Sequence, residues 1–76
     1  MQPQTLATVS ERTLSRITGY QTERGLKQRL IALGLFPGAE VTTLQRRGGG
    51  LVVARGSDRI ALGGAIAAQI LVEALA

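Results

Sequence analysis

Histidine, cysteine and tryptophan are missing from the 76 residues, and phenylalanine, tyrosine and lysine occur once each, as Phe36, Tyr20 and Lys27. Without cysteine there is no disulfide and no thiolate ligand, a composition at home in a reducing compartment. Without histidine the commonest general base and the commonest transition-metal ligand are both gone. Five scattered carboxylates, Glu11, Glu23, Glu40, Asp58 and Glu73, remain for either task. The sequence therefore predicts no enzyme, no catalytic or metal-binding residues and no cofactor. The scarcity of rings means that Leu, Ile, Val and Ala must fill the core. A chain of this length forms one domain and hides only about 60% of its unfolded surface, so that core has little to spare.

Long hydrophobic runs are also lacking. Residues 60–76 are strongly polar only at Gln69 and Glu73, but Gly63 and Gly64 interrupt them, and a membrane span needs about 20 apolar residues. The start of the chain carries no charged segment leading into an apolar one, so it does not read as a signal peptide. Residues 1–8 are expected to form a loose segment, from which Leu6 can dock together with Val9, and residues 9–76 a single domain.

What is present is organised around residues 28–41. Leu26, Leu30 and Leu33 recur at helical spacing and predict one apolar helix face against the sheet. Thr22 is the expected N-cap, with Glu23 in the first turn at the positive end of the dipole. Gly34 follows the last leucine, where a left-handed residue closes a helix, and Leu35 then falls where such a cap returns an apolar side chain against Leu30. Phe36-Pro37-Gly38-Ala39 places proline second and glycine third, the type II turn preference, and a strand can begin at Glu40.

Around this centre the chain reads as strands. Residues 13–20 predict a half-buried strand with Ile17 inward and a bulge or bend at Gly19. Val41 and Leu44 break strict alternation, so one faces out or the strand is bulged. Residues 46–50, Arg-Arg-Gly-Gly-Gly, predict a hairpin tip. Residues 51–55 form the next strand, with Val53 inward and Arg55 outward or the reverse, and 56–58 a second turn before the arm 59–62. Residues 65–69 then make a helical turn that brings Ile66 to the core, with 70–73 as the closing strand. One helix over 65–75 is the alternative. An antiparallel meander with one inserted helix closes most simply as a small barrel, which hides its edges.

The residues Arg29, Leu30, Leu33, Gly34, Leu35, Pro37, Gly38 and Val41, followed by Val52 to Gly56, Arg59 to Leu62 and Ile70 to Glu73, resemble the FeoA family over about residues 14–73. The resemblance implies a mainly β, SH3-like antiparallel barrel, with one short α-helix inserted between the first two long strands. It also implies a non-enzymatic cytoplasmic accessory of bacterial ferrous iron uptake. The implied partner is the cytoplasmic part of the FeoB-type permease, including its GTPase domain, and the membrane is met only through the permease. Gly63 and Gly64 stand where family members usually carry charge, and the loop at 46–50 is shorter than is usual there.

Two other motifs are weak. The three glycines at 48–50 lack the Gly-Lys-Ser/Thr and following helix of a phosphate loop, and a single Arg-Gly-Gly lacks the repeats and aromatics of an RNA-binding segment. Nine basic residues against five acidic give +4, which also serves solubility. The candidate docking surface is Leu35 and Phe36 with a rim of Arg29, Arg46 and Arg47, since an aromatic among arginines is typical of interface cores. No nucleic acid is expected, and weak self-association is compatible with this reading. The alternative is an SH3-like module linked to an iron-dependent repressor, or a small basic nucleic-acid-binding barrel.

Overall fold

The computed structural model describes residues 4–75. The elements are β1 (Gln4–Thr5), β2 (Leu14–Tyr20), α1 (Arg24–Ala32), β3 (Glu40–Arg47), β4 (Gly50–Arg55), β5 (Asp58–Gly63), α2 (Gly64–Ala67) and β6 (Ile70–Ala74). They form a mainly β, SH3-like fold with a six-stranded antiparallel sheet in the order β1-β6-β2-β3-β4-β5, and α1 lies between the first two long strands in sequence. Two-residue loops at 48–49 and 56–57 keep β3, β4 and β5 side by side, as the glycine-rich tips predict. Residues 65–75 are not one helix: α2 ends at Ala67 and β6 follows.

The sheet wraps one aliphatic core in which Ile17, Leu30, Leu35, Val41, Val53 and Ile70 are almost wholly buried. Both long strands bend where their patterns falter. The β2–β6 register shifts between Ile17 and Gly19, and the β3–β4 register between Thr43 and Gln45. The second bulge resolves the alternation of β3: Val41 and Thr43 point inward and Leu44 is only half-buried.

The start of the domain differs from its expectation. Residues 4–8 are not loose: β1 pairs with β6, Leu6 is fully buried, and its N–H donates to the Ile70 carbonyl at 3.0 Å. Residues 1–3, the rest of that expected segment, lie outside the described residues. Leu6 and Val9 both enter the core as expected.

Helix α1 is also corrected at both ends. Its N-cap is Glu23 rather than Thr22, because Glu23 keeps an extended backbone while its carbonyl accepts the Lys27 N–H at 3.1 Å, and no side chain caps the helix. Of the three leucines expected on the core face, Leu30 is buried and Leu26 half-buried, but Leu33 is 53% exposed. The helix ends at Ala32, and the reversal at Gly34 gives the core position to Leu35 instead. In α2 it is Ala67 that is fully buried, with Ile66 packed against the core from its edge.

Two glycines in this region predict opposite effects. Gly25 lies inside α1, where a β-carbon added to it would meet nothing within 4 Å, so Gly25→Ala is expected to stabilise the fold by about 0.4–1 kcal/mol. Gly34 has φ +91° and its added β-carbon would stand 3.3 Å from Arg55, so Gly34→Ala is expected to cost about 1–2 kcal/mol. Urea unfolding of the two variants beside the parent checks the signs.

Candidate functional site

The chain leaves α1 through a Schellman cap. The Gly34 N–H donates to the Ile31 carbonyl at 3.0 Å and the Leu35 N–H to the Leu30 carbonyl at 2.9 Å, which places the Leu35 side chain beside Leu30 in the core. The Tyr20 hydroxyl donates to the Leu35 carbonyl, tying the end of β2 to the cap. Burial pushes the Tyr20 pKa above its ordinary value, since the phenolate is poorly solvated there.

Phe36 follows, turned outward and 37% exposed. It opens the type II turn, closed by the Ala39 N–H on the Phe36 carbonyl at 2.9 Å, with Gly38 at φ +95°. The turn is anchored to β2 by the Gly38 N–H on the Ile17 carbonyl at 2.7 Å and the Ile17 N–H on the Ala39 carbonyl at 2.9 Å. A phenyl ring held between a helix cap and an anchored turn is a rigid protrusion. Ile31 and Leu33, 44% and 53% exposed, are further exposed aliphatic residues at the end of α1, on its two flanks.

Arg55 completes the site. It shares the parity of Leu51 and Val53, both buried, so its side chain leaves β4 on the inner side just where the strand ends. The end of its stem and its guanidinium pass over Gly34, and the guanidinium carbon lies 4.9 Å from the centroid of the Phe36 ring, a cation–π contact. Strict period-two counting from Val53 would have found it.

The arginines expected around Phe36 divide. Arg29 is exposed on the last turn of α1. Arg46 and Arg47 sit at the far end of β3: the hairpin places Ala54 opposite Thr42 but Gly50 opposite Arg47, about 16 Å further along the strands. Arg46 is occupied there. Its guanidinium donates to the carbonyls of Ala7 and Val9, and its N–H donates to the Glu11 carboxylate at 2.7 Å, clasping the segment after β1 to the end of β3. Arg47 lines a hollow on the outer face of β3, β4 and β5, away from Phe36. Leu35, fully buried, belongs to the core rather than to a contact surface.

Among the described residues no three His, Cys, Asp or Glu side chains come together to hold a metal ion, and no helix is long and apolar enough to cross a membrane. The architecture is that of a small SH3-like module whose distinctive surface is a fixed apolar and basic knob.

The FeoA domain family model matches residues 4–74, and the chain belongs to the FeoA family. That is an accessory family of ferrous iron transport rather than a family of enzymes. Among solved structures, an iron uptake regulatory protein, FeoA, superposes with a TM-score of 0.87 at 23% identity, covering 99% of this chain and 100% of that one. FeoA of Stenotrophomonas maltophilia, solved with zinc and described as an SH3-domain protein, superposes at 0.80 with 26% identity over 92% of this chain and 89% of its own. A manganese-dependent transcriptional repressor superposes at 0.87 with 19% identity, this chain spanning 42% of its length. No curated protein sequence matches the chain.

Tyr20 makes the cap sensitive to alkali. With its folded pKa raised above the ordinary 10.0, stability is whole below that value and is lost as pH rises through it and through the higher folded pKa, because the unfolded tyrosine ionises first. Tyr20→Phe is expected to lose about 0.5–1.5 kcal/mol at neutral pH and to remove this part of the alkaline loss. Thermal unfolding from pH 7 to about 11 reads both effects.

Proposed function

We propose that the chain is a cytoplasmic accessory protein of ferrous iron uptake that docks on the cytoplasmic part of a FeoB-type permease, including its GTPase domain. Phe36 is the anchor, with Arg29 and Arg55 at its rim. The observation that carries this reading is the rigidity of Phe36: a part-exposed aromatic fixed by backbone bonds on both sides loses little conformational freedom when it is covered. Family membership supplies the pathway. The absence of histidine and cysteine agrees with a protein that works by adhesion.

The likeness to one module of a manganese-dependent repressor favours a second reading, in which this barrel serves a metal-dependent regulator. The two readings separate by partner and by salt, because binding to nucleic acid through several arginines weakens steeply as salt rises.

Titration calorimetry with the permease's soluble cytoplasmic domain tests the first reading. Phe36→Ala is expected to weaken binding by at least about tenfold while leaving the unfolding midpoint close to the parent's. Parent-like binding by Phe36→Ala would remove Phe36 as the anchor, and no binding by the parent would remove the docking itself.

A further inference from the structure

The charges of the domain are unevenly committed. Of the five carboxylates, Glu40 and Glu73 pair with Arg16 at 3.3 and 3.0 Å, and Glu11 accepts the Arg46 N–H. Beyond its N-cap, α1 carries Arg24, Lys27 and Arg29 and no acidic residue, and none of these cations pairs with a carboxylate among the described residues. Helical spacing sets Arg29 one turn before Leu33, on the flank of α1 opposite Lys27 and Ile31, so the exposed Leu33 has a cation beside it. Arg55 adds a cation of a different kind. Its Cδ and guanidinium lie over Gly34 and the guanidinium also over Phe36, so the donor fork is placed before anything binds.

From this juxtaposition of Arg55 held over the exposed Phe36 with the unpaired Arg29 and exposed Leu33 on the last turn of α1, we infer that the surface recognises an acidic amphipathic segment of a protein partner. One carboxylate is taken by the Arg55 fork, a second meets Arg29, and the segment's apolar side chains cover Phe36 and Leu33. The inference rests on the docking reading above and names the chemistry of the docked segment. A second copy of this chain is the wrong occupant, because two such faces would set Arg29 and Arg55 against Arg29 and Arg55. A phosphate backbone would have to lie across the aliphatic tips. Lipid phosphates accept two parallel N–H donors from one guanidinium as a carboxylate does, so an anionic lipid surface is separated by the vesicle arm of the test.

The test measures binding to the permease's soluble cytoplasmic domain at about 50 and about 500 mM salt. Arg55→Gln and Arg55→Lys are compared with Phe36→Ala, and Arg47→Gln, at the far end of the hairpin, serves as the control for charge alone. Arg55→Gln is expected to weaken binding by at least about tenfold and to flatten its salt dependence. Arg55→Lys should recover only part of the loss, since lysine keeps the charge but not the fork, and Arg47→Gln should bind like the parent. If Phe36→Ala loses binding while Arg55→Gln keeps it, the docking reading stands and the acidic segment is overturned. If the parent does not bind the domain, the docking reading falls, and a displayed library of peptides about twelve residues long decides the inference by itself. Enrichment of acidic and apolar sequences that Arg55→Gln no longer captures supports it. Their absence overturns it, as does capture of phosphatidylglycerol vesicles that is lost in Arg55→Gln.

Discussion

The structure depends on a reversal of backbone hand at residue 34. An α-helix of nine residues is too short to persist on propensity alone, and α1 adds no side-chain cap and an internal glycine to that deficit. It survives because the left-handed Gly34 folds the chain back and drops Leu35 into the core next to Leu30. The same step uses the carbonyls of Ile31 and Leu30 that a helix end would otherwise leave open. Leu35 then offers its own carbonyl to Tyr20, so the helix exit and the end of β2 are held as one unit.

The knob at Phe36 is a by-product of that geometry. If Leu35 points in, the next side chain must point out, and the turn at residues 36–39 cannot relax because Ile17 holds it through both of its backbone polar groups. Arg55 reaches across because residue 34 has no side chain to stop it. One glycine therefore closes a helix, seats a core residue and clears the path of a cation. At the opposite end of the β3–β4 hairpin a separate device operates, in which Arg46 collects the carbonyls of Ala7 and Val9 and draws the first segment against β3.

The elements written in backbone terms were legible in the sequence. Glycine and proline at 34, 37 and 38 each answer a local steric demand, so the cap, the turn and the start of β3 at Glu40 appear where the residues imply them. Side-chain placement was less so. Leu33 fits the helical period and its N–H still bonds the Arg29 carbonyl, yet the reversal at Gly34 gives the core position to Leu35, and Leu33 stays in solvent. Thr43 follows Val41 inward by strict alternation, although a threonine is not the residue a hydrophobic pattern picks for the core, and the bulge at Leu44 comes only after it. The role of Arg46 depends on carbonyls 37 and 39 residues away and leaves no trace in local pattern. Of the surface expected from sequence, Phe36 and Arg29 lie at the helix exit, Leu35 is core, and the two hairpin arginines are distant. Arg55 was obscured by its charge, although its parity with Val53 placed it on the inner side.

Native-state amide hydrogen exchange reads the central claim most directly, because it reports the opening free energy of each backbone bond. If the cap at residues 34 and 35 and the turn anchored on Ile17 are parts of the core, the Leu35 and Ile17 amides exchange only with global unfolding, as slowly as the Val53 amide in the middle of β4. Exchange of Leu35 at the rate of a fraying helix end, with Val53 still protected, would contradict the account.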